Sequence, residues 1–121
     1  MALILIVDDS PTEVHVMQRA LEKSGYQTAI AADGETGVRL AREMHPDLIF
    51  MDIVMPGMNG YQATRTLTND PQTRAIPIVM VTSKGQETDK IWGLRQGAID
   101  YMVKPVSSAQ LVAKAQATLA A

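Results

Sequence analysis

The amino-acid sequence predicts an α/β fold in which a five-stranded parallel sheet is covered by helices on both faces. Three observations lead there. Short apolar, β-rich runs alternate five times with longer stretches of helical period. The runs are nearly continuous in hydrophobicity, as strands buried on both faces require. Right-handed crossovers between parallel strands then place helices on either side. With 121 residues, 46% of them hydrophobic, the chain can bury one real core and has no room for a second sizeable domain.

The elements follow in order. Leu3–Val7 is the first strand. Ser10-Pro11-Thr12-Glu13 starts a helix in capping-box fashion, with Ser as cap, Pro at the first helical position and Glu three residues after the cap. Val14, Met17 and Leu21 recur at i, i+3 and i+7 as its inward face, and Gly25 stops it. Gln27–Ala31 is the second strand, and Gly34 to about Met44 the second helix, with Val38 and Ala41 inward and Pro46 closing it. Leu48–Met51 is the third strand and runs into Asp52. The loop Ile53–Gly60 (IVMPGMNG) is rich in turn residues, and Asn59 caps a helix over Tyr61–Thr68. Ile76–Val81 is the fourth strand and Glu87–Gln96 the fourth helix, with Ile91 and Leu94 expected inward. Ile99–Val103 is the fifth strand. Ser107-Ser108-Ala109-Gln110 repeats the capping-box pattern and opens the last helix through Leu111, Ala115 and Leu119. The eight methionines are scattered over strands, helices and a loop, which suits core filling better than a binding surface.

Composition excludes several classes. A net charge of −2 offers no basic surface to nucleic acid or to an acidic membrane. The absence of cysteine removes disulfides and thiolate metal sites and fits a reducing compartment. MALILIV is too short for a signal sequence, lacks a basic lead and ends in two aspartates. Nothing approaches the ~20 apolar residues of a membrane span. The expectation is a single cytoplasmic domain over residues 1–121, without an output domain. His15 and His45 fall on different helices with no metal spacing and read as surface residues.

In an open α/β sheet, functional groups gather beyond the carboxyl ends of the strands. The first strand delivers Asp8-Asp9 there, the third Asp52, the fourth Thr82-Ser83 and the fifth Lys104-Pro105. Each signal alone is commonplace: paired aspartates are ordinarily a solvated turn, and Lys-Pro an end marker. Their force lies in arriving together at one edge. Two carboxylates ~5 Å apart at an effective dielectric of ~20 repel by roughly 3 kcal/mol, so the group calls for protonation or a cation. Hard oxygen ligands suit Mg²⁺. A carboxylate beside such an ion can attack phosphorus to form an acyl phosphate, while Lys104 neutralises developing charge and the Thr82 hydroxyl bonds a phosphoryl oxygen.

The segments LIVDDS, DLIFMDIVMPGMNG, IPIVMVTS and GAIDYMVKP resemble the receiver domain of two-component response regulators, over the whole chain. The resemblance implies a flavodoxin-like (βα)5 doubly wound sheet of order 2-1-3-4-5. It implies that a histidine kinase phosphorylates Asp52, and that Asp8, Asp9, Asp52 and the backbone carbonyl of Val54 hold Mg²⁺. Lys104 and Thr82 would steady the phosphoryl group, Thr82 and Tyr101 would form the switch pair, and Pro105 would follow a cis bond. On phosphorylation Thr82 would move toward the phosphoryl group and leave space for the Tyr101 ring to turn inward. Within that family, ILIVDDSPTE, MDIVMPGMNG and QETDKIWGLRQGAIDY resemble PilH-type single-domain regulators of type IV pilus twitching motility. The implied partners are a chemotaxis-type histidine kinase and a downstream motility protein.

Such a chain is a phospho-acceptor with self-catalysed phosphorylation and dephosphorylation, and not an enzyme acting on others. Val54 offers an attacking water no side-chain hydrogen bond, and Lys84 brings a cation to the mouth of the site, so both are candidates for tuning phosphoryl lifetime. Lys90, Trp92 and Tyr101 mark a candidate partner face on the fourth helix and fifth strand; Trp92, one place off the Ile91/Leu94 face, suits packing and partner contact equally. Asp89, Lys90 and Asp100 are charges a phosphorylation-dependent dimer would use, with a monomer as the alternative. A phosphate sink for the same kinase fits equally well. A Mg²⁺-dependent aspartyl-phosphate phosphatase of haloacid-dehalogenase type fits poorly, because its nucleophile follows the first strand in a DxD motif. The intact acid set argues against a pseudo-receiver that only binds protein.

Overall fold

The computed structural model describes residues 1–120 and realises the alternation of strand and helix. The elements are β1 (Leu3–Val7), α1 (Pro11–Lys23), β2 (Gln27–Ala31), α2 (Gly34–Met44), β3 (Leu48–Met51), α3 (Gly60–Asn69), β4 (Ile78–Thr82), α4 (Glu87–Gln96), β5 (Asp100–Val103) and α5 (Ser108–Leu119). All neighbouring strands pair in parallel, in the order β2-β1-β3-β4-β5, as the resemblance implied.

Alternation along the strands builds two cores. From β1, Leu5 and Val7 point into a layer with Val38 and Ala41 of α2 and Ala63 and Leu67 of α3. Ile4 and Ile6 point the other way, against Val14, Met17 and Leu21 of α1 and Leu111 and Ala115 of α5. The central strands β1 and β3 are therefore buried on both faces, which is why LILIV and LIFM carry no polar residue. Met17, Met51, Met55 and Met80 lie in these cores, in keeping with the filler reading.

Two local expectations are corrected. The fourth strand begins at Ile78 and runs to Thr82, not from Ile76 to Val81. The Ile76 N–H is taken by Thr73 O in a turn, and Pro77 has no N–H to give a ladder. The inward face of α4 is Gly93 and Gln96, whereas Ile91 and Leu94 are 44% and 43% exposed. The reason is the Tyr101 ring of β5, which fills the space beneath α4. A Cβ at Gly93 would stand 3.2 Å from its Cδ2 and Cε2, so no inward aliphatic fits, and the two aliphatics turn toward solvent.

Candidate functional site

The sheet's hydrogen-bond ladder continues past the strand ends and fixes the residues that follow them. The Asp8 N–H donates to Ala31 O (3.0 Å), the Asp52 N–H to Val7 O (2.9 Å) and the Lys104 N–H to Thr82 O (2.8 Å). Asp8, Asp52 and Lys104, far apart in sequence, thus meet at the carboxyl edge. Behind Asp52 the loop folds back so tightly that only glycine fits at position 60, since a Cβ there would lie 2.0 Å from Asp52 O. The Asn59 cap, closed by Gln62, then starts α3.

The Lys104 Nζ is the hub. It donates to Asp8 Oδ2 at 2.9 Å, to Asp52 Oδ2 at 3.1 Å and to Glu13 Oε2 at 2.5 Å. Asp8 is held from its other side, where Oδ1 accepts the Ser10 N–H at 2.9 Å. Asp52 Oδ1 accepts the Ile53 N–H at 2.7 Å. Asp8 and Asp52 are buried, at 2% and 8% exposure. Burial raises the Asp8 carboxyl above its ordinary value; Lys104 and the Ser10 N–H offset this in part, and the charge of Asp52 pushes it further up. Burial alone would lower the Lys104 ammonium, but its bonds to Glu13 and Asp8 and the charge of Asp52 hold it well above an ordinary lysine.

Ligand oxygens of Asp8, Glu13 and Asp52 lie within 4.8 Å of one another. One lysine cannot balance three carboxylates, so this all-oxygen donor set fits a hard divalent cation. Val54 has an exposed side chain in the β3–α3 loop, and among the described residues its carbonyl accepts no backbone N–H. Asp9 is exposed and stands outside the trio, lining an open hollow of about 330 Å³ together with Asp8, Pro11, Val14 and His15.

The trio's third acid is thus Glu13, which sequence reasoning assigned to the helix cap. No local signal distinguishes the two roles, because the contact with Lys104 spans 91 residues.

Thr82 closes β4 fully buried, and its Oγ1 accepts the Lys84 N–H at 3.4 Å. Tyr101 is 7% exposed and belongs to the core. Its hydroxyl donates to Lys84 O at 2.7 Å, and burial, with Tyr61 alongside, pushes its phenol well above the ordinary tyrosine value. The ring therefore already occupies the inward position, in the space Gly93 leaves. Tyr101 is consequently not a surface contact, as its place on the partner face had suggested; it lies beneath that surface. Lys90 is exposed, as is Trp92 at 47%, alongside Ile91, Leu94, Ile99 and Val103. The Lys84 Nζ pairs with Asp89 at 3.8 Å. His15 and His45 are exposed, and the Lys104–Pro105 bond is cis.

The family of response regulator receiver domains matches residues 4–116. The chain belongs to this family. The receiver is 58% identical over 120 residues to Protein PilH of Pseudomonas aeruginosa, with 99% of each chain covered. Chemotaxis protein CheY4 of Vibrio cholerae superposes on this receiver with a TM-score of 0.92 at 31% identity, over 98% of this chain and 99% of that one. The receiver domain of sensor histidine kinase PA1611 from Pseudomonas aeruginosa, solved with a magnesium ion coordinated in its active-site cleft, gives a TM-score of 0.92 at 32% identity, over 99% and 98% of the two chains. The chain is thus a two-component response regulator receiver by sequence and by fold.

Proposed function

We propose that Asp52 is the phospho-acceptor of this receiver and that a histidine kinase is its donor. The observation that supports this most is the Lys104 ammonium bonded to Asp8 and Asp52 at the carboxyl edge of the sheet. In the transfer, an Asp52 carboxylate oxygen forms a bond to phosphorus as the P–N bond to the donor imidazole breaks, and the imidazole leaves with a proton from solvent. Lys104 balances charge on the transferred group, and Thr82 offers its hydroxyl to a phosphoryl oxygen. Asp8 and Asp52 of the trio, with Asp9 and the Val54 carbonyl in place of Glu13, which is bonded to Lys104, would hold Mg²⁺, which would supply the positive charge that the anionic partners need in order to approach. Loss of the phosphoryl group to water is likewise promoted by this site alone, so the chain serves as its own catalyst and acts on no other substrate.

Output passes through the α4–β5 surface. Ile91, Trp92, Leu94, Ile99 and Val103 expose apolar side chains there, and Tyr101 lies beneath. The likeness to PilH supports a place in chemotaxis-like control of pilus or other motility, with a chemotaxis-type kinase upstream and a motility protein downstream. Among the described residues no helix is long and apolar enough to cross a membrane, which agrees with work in the cytoplasm.

Transfer from a radiolabelled chemotaxis-type kinase tests the reading. Label should move to the wild-type chain and not to Asp52→Asn. Label that moves equally well to the Asp52→Asn variant would remove Asp52 from the role.

A further inference from the structure

Three helices carry a cap pattern with Glu or Gln at the third position. In α3 and α5 the pattern closes: the Asn59 N–H donates to Gln62 Oε1 at 2.9 Å and the Ser107 N–H to Gln110 Oε1 at 3.0 Å. In α1 only half of it forms. The Ser10 Oγ accepts the Glu13 N–H at 3.5 Å, but the Ser10 N–H is already bonded to Asp8 Oδ1. The Glu13 carboxylate, with no cap donor left, turns to Lys104 Nζ at 2.5 Å.

An ammonium has three N–H donors. Those of Lys104 are all engaged, by Asp8, Asp52 and Glu13, so none is free for a phosphoryl oxygen. One partner must yield when that group arrives. Asp52 carries the group itself, and Asp8 is buried and held by the Ser10 N–H. The Glu13 side chain is 46% exposed, so water can take over its hydrogen bonds at little cost.

We propose that Glu13 is a positioning residue: it holds Lys104 on the unphosphorylated site by direct contact and competes with the incoming phosphoryl group for that ammonium. Phosphoryl uptake therefore proceeds against Glu13, which sets a brake on charging the receiver. The inference rests on Asp52 being the phospho-acceptor.

The test is the initial rate of uptake from acetyl phosphate at fixed Mg²⁺, read by intact mass, for wild type, Glu13→Ala and Glu13→Asp. Alanine removes the carboxylate. Aspartate keeps its charge at the site's mouth but is one methylene too short to reach Nζ. Both should take up phosphoryl about two- to fivefold faster than wild type, the upper part of the range an exposed ion pair commands. Wild-type rates in both variants, or a gain in Glu13→Ala alone, would overturn direct holding, the latter in favour of a general charge effect. No uptake by wild type would instead strike the Asp52 reading. Thermal melts check the fold, and Glu13→Gln replaces the alanine variant if that one melts below the assay temperature.

Discussion

At the scale of single residues, the site is a competition among carboxylates for one lysine, and its pH behaviour follows. The raised pKa of Asp8 means the native state binds that proton more readily than the unfolded chain does. Stability in chelator should then rise as pH falls through the raised Asp8 pKa toward the ordinary aspartate value. The opposite sign applies to Asp33, Asp70 and Asp100, whose carboxyls are lowered in the fold: Asp33 by the Thr36 N–H, Asp70 by the Gln72 N–H and Arg42, and Asp100 by Lys114 against the effect of its own burial. Their contribution is lost as pH falls below the ordinary aspartate range. Asp8→Asn should melt a few degrees higher than wild type at pH 7 without Mg²⁺ and should lose the rise on the acid side. An unchanged melting profile would mean the charges are relieved some other way. A second residue-scale prediction concerns phosphoryl lifetime. Val54→Asn places a hydrogen-bonding amide two residues after Asp52, and Lys84→Glu removes the cation paired with Asp89. The double variant should dephosphorylate severalfold faster, measured as decay of the phosphorylated mass after donor removal.

At the scale of elements, close backbone approaches position the chemistry. Gly60→Ala forces a Cβ into Asp52 O and should cost about 3 kcal/mol in urea unfolding, the upper range for overpacking, while weakening Mg²⁺-dependent uptake. A loss within a few tenths of a kcal/mol would show that the β3–α3 loop can give way. Element order and type were legible because periodicity and caps are local: Asn59, Ser107 and the LILIV and LIFM runs each declare themselves over a few residues. The α4 face was not. Ile91 and Leu94 have inward spacing, but the space below them belongs to Tyr101, a residue from another element that only the tertiary structure brings there. Glu13 illustrates the same limit at the site. Its cap signature is real, yet the Asp8–Ser10 bond and Lys104, 91 residues away, redirect it. Asp8, Asp52, Thr82 and Lys104 were legible because each directly ends a strand, and a parallel sheet gathers strand ends by construction.

At the scale of the whole molecule, two of the three charges that a dimer would use, Asp89 and Asp100, are already engaged within the chain, while Lys90 is exposed. Asp89 faces the Tyr61 hydroxyl, the Gln86 N–H and Lys84, and Asp100 is paired with Lys114. The unphosphorylated receiver should accordingly be monomeric by light scattering at micromolar concentration, and a dimer mass there would overturn this reading of the α4–β5 surface. The same surface leaves Trp92 free to report on partners, through a change in its fluorescence when a target docks.

The two buried layers and the single polar edge between them reduce the account to one claim, that Asp52 accepts the phosphoryl group in the presence of Mg²⁺. Intact mass after incubation with acetyl phosphate and Mg²⁺ tests it most directly. The account predicts a gain of one phosphoryl group that vanishes in Asp52→Asn and in chelator. A gain that survives the Asp52→Asn substitution, or no gain with a folded wild-type chain at saturating donor, would contradict it.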